Sequence, residues 1–189
     1  MIFTDKKSAR KQLLAKRMNL SEEYIKNMSQ ALCRHIRELE EFKNADTILI
    51  YSAAKNEPDL SNIAISALKE GKNVAFPISQ TDSCTLDFRT VKSLDELCVG
   101  SYGIKEPTDR ANKAPITSKT LCIVPALAVD KNKCRIGYGK GYYDRFLNDF
   151  DGISVCAVFP DFICDSLPTE QTDIQIDIII SETGVVIFK

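Results

Sequence analysis

The sequence predicts an α/β fold, a single-domain three-layer α/β/α arrangement with helices on both faces of a mostly parallel sheet. Three observations carry that expectation. Short β-branched apolar runs alternate with helix-spaced segments from one end of the chain to the other. The runs are too continuously apolar for strands with one wet face, so they read as strands buried on both sides. With 189 residues and 44% hydrophobic content the chain can bury a sizeable core. No internal repeat, low-complexity tract or long linker divides it, so one domain is expected over 1–189.

Each element has its own signal. Thr4 is a candidate N-cap for a helix from Asp5 to Met18, and Ser21, followed by Glu22 and Glu23, caps a second from Glu22 to Glu41. Thr47 to Tyr51 and Asn73 to Pro77 read as strands. The helix between them, Pro58 to Glu70, opens on proline and stops at Gly71, completing a βαβ unit. Thr85 to Val91 is a further strand, and Gly100 to Pro115 is turn-rich. Leu121 to Val124 is a short apolar strand. Tyr142 to Phe150 is a helix with Tyr143, Phe146, Leu147 and Phe150 on one side. Strands at Ile153 to Phe159, Asp177 to Ile180 and Val185 to Phe188 close the chain. In such a Rossmann-like sheet, ligands bind beyond the carboxyl ends of the strands. Three segments fall there: Ser52 to Asp59, the glycine loop described next, and Pro160 to Asp173.

That loop is Arg135-Ile136-Gly137-Tyr138-Gly139-Lys140-Gly141-Tyr142-Tyr143-Asp144-Arg145, where a strand hands over to a helix. Alternating glycines let backbone amides approach an oxyanion closely, Lys140 adds a mobile charge, and Arg135 adds a planar fork suited to phosphate. The spacing matches neither the P-loop nor the dinucleotide fingerprint, so alone it also describes a tight turn with solvated cations. Lys6 and Arg10, four apart on a helix, share a face; they either grip one phosphate together or form a solvated basic face. Glu57 and Asp59 sit at a helix start, where acids are favourable with or without a ligand. Asp144 and Asp173 would suffice to hold Mg²⁺ on phosphate oxygens, if the fold brings them together.

Composition removes several classes. Net charge is −1, but residues 1–17 hold six cations against Asp5, whereas 146–188 hold eight acids and no Lys or Arg. That balance argues against nucleic-acid binding. No run approaches a membrane span, and the opening MIFTDKKSARK lacks the apolar segment of a secretory signal. The expected location is the cytoplasm. Seven cysteines with no C-x-x-C pair read as reduced thiols, of which only Cys134, beside the loop, invites chemistry. The single histidine, His35, lies at the edge of an apolar stripe with Leu32, Ile36 and Leu39 and reads as structural. Histidine-based triads and paired-histidine zinc sites are then excluded.

The stretch Val124-Pro125-Ala126-Leu127-Ala128-Val129-Asp130 followed by Arg135 through Leu147 resembles the signature of the 5-formyltetrahydrofolate cyclo-ligases, also called methenyltetrahydrofolate synthetases. The resemblance extends, in order, to Lys6-Lys7-x-x-Arg10, Tyr51 with Glu57-x-Asp59, Gly103-Ile104-x-Glu106-Pro107, and Pro168-x-Glu170-x-x-Asp173. It implies ATP- and Mg²⁺-dependent closure of 5-formyltetrahydrofolate to 5,10-methenyltetrahydrofolate by a monomer whose partners are small molecules. By the same resemblance, Lys6, Lys7, Arg10 and Arg135 with Gly137 through Tyr143 bind ATP. Arg10, Ala54, Glu57 and Asp59 with Tyr138 through Tyr142 contact the folate. Lys140, Arg135, Arg10 and Tyr142 are the expected catalytic set, and Asp144 and Asp173 the metal ligands. Lys133 stands where the family usually has a turn glycine, Val129 where an aromatic is common, Thr172 where many members have histidine, and Ala54 is smaller than several counterparts. Two other classes would fit the residues: another small-molecule phosphotransferase on this fold, and a non-catalytic folate- or nucleotide-binding protein.

Overall fold

The computed structural model describes residues 3–187, so Phe188 of the expected last strand and Met1 and Ile2 of the opening segment lie outside the described residues. Asp5, rather than Thr4, caps α1 (Lys6–Met18), its carboxylate accepting from the Ser8 N–H at 2.8 Å while the Thr4 hydroxyl donates to it. Ser21 caps α2 (Glu22–Glu38) as expected. That helix is shorter than its apolar pattern suggests: Leu39 takes an extended ψ of 135°, and a separate α3 (Glu40–Asn44) follows.

β1 (Thr47–Leu49) and β2 (Asn73–Gln80) are joined by α4 (Ser61–Lys69), which starts three residues after Pro58. β3 (Thr85–Val91) returns antiparallel to β2. The turn-rich stretch holds a small hairpin, β4 (Cys98–Val99) with β5 (Lys105–Glu106). After β6 (Thr120–Ile123), the chain makes β7 (Ala128–Asp130) and β8 (Arg135–Ile136) before the glycine loop and α5 (Tyr142–Asn148). β9 (Ile153–Ala157), β10 (Ile163–Cys164), β11 (Ile178–Ser181) and β12 (Gly184–Val185) complete the fold.

The central sheet runs β12-β11-β9-β6-β1-β2-β3, with β11, β9, β6, β1 and β2 parallel and only the two edge strands antiparallel. Every residue of β1 and of β6 is buried, so both faces of the sheet are covered. The chain leaves β1 toward β2 and leaves β6 toward β9, in opposite directions. Between β1 and β6 the strand order therefore switches, and it is beyond the carboxyl ends of strands at such a switch that ligands bind in this class of sheet.

The strip β10-β7-β8 is a second sheet that the sequence reading lacked. Its strands are two or three residues long, too short for a period to show. Asp130 organises it: this buried carboxylate accepts from the Asn132, Cys134 and Leu167 N–H groups at 2.9, 3.0 and 2.9 Å. The hairpin turn also explains the family's glycine, because Lys133 adopts a φ of +60°, a left-handed conformation that costs a side-chain-bearing residue strain.

Candidate active site

Helix α1 crosses the carboxyl end of the sheet and presents Lys6, Arg10, Leu13 and Arg17 along one stripe, since steps of four, three and four residues return to the same face. Lys6 Nζ donates to Asp173 Oδ1 at 2.6 Å and lies 3.2 Å from Glu170. The other oxygen of Asp173 accepts from the Glu170 N–H at 2.7 Å. Thr172, in the position many members fill with histidine, makes neither of these bonds. One turn along α1, Arg10 Nε donates to the Gly137 carbonyl at 3.2 Å. Lys7 lies about 100° round the helix from Lys6 and is exposed, outside this stripe.

The glycine loop is shaped by guanidinium groups pressed against it. At Gly139 φ is +93°, and a Cβ there would come within 2.9 Å of Arg10 Cζ. Gly141, with φ +71°, would bring a Cβ to 3.0 Å from Arg145 Nη1, which itself donates to the Lys140 carbonyl at 2.7 Å. Both positions thus favour glycine for its positive φ, and a Cβ at either would also push a guanidinium aside. Lys140 is exposed at the tip. Beneath the loop, Arg135 is only 7% exposed, with Nη2 2.9 Å from Asp144 Oδ1 and its guanidinium 5.8 Å from the Tyr143 ring centre. Its Nε is buried without a hydrogen-bond partner, as is the Tyr143 hydroxyl. A buried guanidinium N–H left unpaired is costly unless an acceptor arrives.

Asp144 meets the segment that carries Asp173: its Oδ1 lies 3.4 Å from the N–H of Ile174, the residue after Asp173. The third predicted segment thereby joins the glycine loop. Both carboxylates are held by cations, Asp173 by Lys6 and Asp144 by Arg135. Among the described residues no three His, Cys, Asp or Glu side chains cluster as a metal site, so a cation here would draw its remaining oxygens from a ligand.

The first predicted segment closes the other side. Glu57 is buried; Oε2 accepts from the Ala54 N–H at 2.9 Å and Oε1 from the Tyr138 hydroxyl at 3.0 Å. Burial raises its pKa from the ordinary value, with the Arg17 charge opposing. Burial, followed by the Glu57 charge, raises that of Tyr138. Asp59 is used differently: its carboxylate accepts from the Ser61 N–H at 3.0 Å and its own N–H donates to Ser29 Oγ at 2.9 Å, so its hydrogen bonds run to α4 and α2 rather than to the glycine loop. Tyr142 meets Tyr102 of the β4–β5 hairpin, hydroxyl to hydroxyl at 3.0 Å.

Two residues here escaped the sequence reading. Tyr102 sits in an irregular turn beside the quoted Gly103 motif, with a φ of +58° that no pattern announces. Arg17 did leave a signal: it extends the buried series Ala9, Leu13 by four residues, where a helix stripe calls for an apolar side chain. Cys134, by contrast, carries no activated thiol, since burial and then the Asp130 charge raise its pKa. Burial pushes Cys156 up to about 12, and all seven cysteines are free. His35 bonds the Glu182 carbonyl at 2.9 Å and Glu38 at 3.0 Å, joining α2 to the β11–β12 turn.

Residues 3–182 match the model of the 5-formyltetrahydrofolate cyclo-ligase family. The probable 5-formyltetrahydrofolate cyclo-ligase of Schizosaccharomyces pombe is 30% identical over 134 residues, covering 69% of this chain and 66% of that one. The Mus musculus 5-formyltetrahydrofolate cyclo-ligase is 25% identical over 189 residues, covering 94% and 93%. Among solved structures, the 5,10-methenyltetrahydrofolate synthetase of Aquifex aeolicus superposes with a TM-score of 0.82 at 32% identity, covering 95% of this chain and 91% of that one. The Mycoplasma pneumoniae enzyme of the same name shares the fold, with a TM-score of 0.76 at 23% identity over 95% of this chain and 99% of its own.

Proposed function

The chain belongs to the 5-formyltetrahydrofolate cyclo-ligase family, a family of ligases, and from that premise we propose that it closes 5-formyltetrahydrofolate to 5,10-methenyltetrahydrofolate with ATP and Mg²⁺. The observation that carries the reading is the meeting of Lys6, Arg10 and Arg135 around a loop with two left-handed glycines, with Arg135 Nε buried and unpaired. An anion with several oxygens suits that arrangement.

In the proposed reaction the formyl oxygen attacks the γ-phosphorus and the bond to ADP breaks. N10 then attacks the formyl carbon, the C–O bond breaks, and phosphate leaves with the former formyl oxygen while the N10 proton is released. Such chemistry needs alignment and charge neutralisation more than a protein nucleophile. Lys6, Arg10, Arg135 and Lys140 supply the positive charge, and the loop amides from Gly137 to Gly141 hold phosphate oxygens. Asp144 and Asp173, hard oxygen donors on neighbouring segments, would hold Mg²⁺, which neutralises phosphate charge when bound. Lys7, exposed beside Lys6, is assigned to the margin of the nucleotide site, and the Tyr142 hydroxyl and Tyr143 ring border it. Ala54, Glu57 and Tyr138 form the folate side, with Asp59 at its outer edge. The same reading takes the enzyme as a cytoplasmic monomer; among the described residues no helix is long and apolar enough to cross a membrane.

Absorbance at the methenyl-folate band tests the proposal. The band grows only when protein, Mg²⁺, ATP and 5-formyltetrahydrofolate are all present, and ¹⁸O placed in the formyl group appears in the released phosphate. Growth without ATP, or label retained in the folate, rejects this path.

A further inference from the structure

We propose that Arg17, a residue of α1 outside the phosphate-binding set, is the positioning residue that locks the folate side of the site into shape. The residue is 1% exposed, and its side chain reaches three separate loops at the switch point between β1 and β6. Nε donates to the Lys55 carbonyl at 3.1 Å, in the loop after β1. Nη1 donates to the Ala126 carbonyl at 2.7 Å, in the loop after β6. Nη2 donates to the Tyr138 hydroxyl in the glycine loop and lies 3.8 Å from Glu57 Oε1. The Tyr138 hydroxyl in turn donates to Glu57 Oε1, and Asn56 Nδ2 donates back to the Arg17 carbonyl at 3.2 Å.

Packing alone does not account for this residue. Ala9 and Leu13 precede it on the same buried stripe, and an apolar side chain there would avoid desolvating a guanidinium. What arginine adds is geometry: a planar fork with donors aimed in several directions at once, which neither leucine nor lysine provides. The Tyr138 ring, 40% exposed, lies near two cations, 4.8 Å from Lys55 Nζ and 5.6 Å from the Arg17 guanidinium, and its hydroxyl is fixed by Arg17 and Glu57. Lys6, Arg10 and Arg17 thus form one line along α1, about 16 Å from end to end at the rise of a helix. Its first two members face the predicted phosphate contacts and its last holds the loops that carry Ala54, Glu57 and Tyr138. Freed from Arg17, the loop after β1 and the Tyr138 side chain lose their common anchor, and the folate side loses its preformed shape while Arg10 still holds the glycine loop at the Gly137 carbonyl.

The kinetic part of the test rests on the ring-closing reaction proposed above; the exchange part does not. Arg17→Lys keeps the charge without the fork, and Tyr138→Phe removes only the shared hydroxyl from a half-exposed ring. In both variants the KM for 5-formyltetrahydrofolate rises about tenfold, as expected for loss of a hydrogen bond to a charged group, while the KM for ATP stays within about twofold. Amide hydrogen exchange in 52–57 of the ligand-free protein speeds up about tenfold in both, while that in 139–141 stays within about twofold. If Arg17→Lys does not fold, Tyr138→Phe decides. If the wild type closes no ring, exchange decides, and the proposed reaction fails independently. Wild-type folate KM and wild-type exchange in Tyr138→Phe and in folded Arg17→Lys, or an ATP KM rising as far as the folate KM, overturns the assignment.

Discussion

The two ends of α1, which the proposed function assigns to one site, hold their cations by opposite means. At the amino end, Lys6 and Arg10 are half-buried, and Lys6 rests on Asp173, a carboxylate that the proposed function assigns to a metal. Arg135 repeats the arrangement with Asp144. At the carboxyl end, Arg17 is sealed in, and its partners are backbone carbonyls, a tyrosine and a buried glutamate. Under the proposed function the ion pairs on the first side are exchangeable, with phosphate taking the place of the carboxylate on each cation and Mg²⁺ that of the cation on each carboxylate. The second side has nothing to exchange. On that proposal, the difference teaches how a site could keep opposite charges together without collapse and still bind a polyanion, provided that its folate-facing loops are fixed independently.

Substitutions on the exchangeable side should therefore strike turnover hardest. Arg135→Ala removes a buried charge, leaves Asp144 unpaired and empties the space under the loop; kcat/KM should fall about 10³-fold. Arg10→Ala and Lys140→Ala should each cost about 10²-fold with the circular dichroism spectrum unchanged. Near-normal rates in the latter two would dissolve the phosphate cradle and, with it, one half of the comparison.

How much of this was legible before folding differs between the two sides as well. The cradle announces itself because glycine, lysine and arginine in one short run are chemically loud, and the parallel sheet shows because its strands are continuously apolar. The locked side is quiet. Arg17 lies 121 residues from Tyr138 and 40 from Glu57, and nothing local in the sequence couples them; only the switch between β1 and β6 does. Asp59 shows the converse, since a carboxylate in a quoted motif turns its hydrogen bonds to the start of α4. The β10-β7-β8 strip was missed because it is held by the carboxylate of Asp130 and by strands too short for periodicity.

A smaller effect probes the exchange itself. Asp173→Asn removes the partner of Lys6 without changing shape, and the Mg²⁺ concentration for half-maximal rate should rise about tenfold while saturating Mg²⁺ restores much of the activity. Because Lys6 also lies 3.2 Å from Glu170, the cation stays held in the free variant, which separates loss of a metal ligand from loss of Lys6. An unchanged Mg²⁺ requirement would place the ion elsewhere and leave Asp173 as a brace for α1.

The smallest expected effect lies on the locked side and appears in stability rather than rate. Burial raises the pKa of Glu57 above its ordinary 4.5, and the Arg17 charge opposes that shift without cancelling it. In the window just above 4.5 the folded protein retains a proton at Glu57 that the unfolded chain has released. Folding stability from this group is therefore present at lower pH and declines as pH rises through the window. Glu57→Gln cannot titrate, so its melting temperature, taken relative to that of the wild type, should improve as pH rises from about 4.5, whatever constant offset the lost charge imposes. A difference that stays flat across that range, measured by thermal unfolding in matched buffers, would mean that Arg17 neutralises the burial cost in full. The carboxyl end of α1 would then be a balanced ion pair, like Lys6 with Asp173, and the contrast between the two ends would reduce to exposure alone.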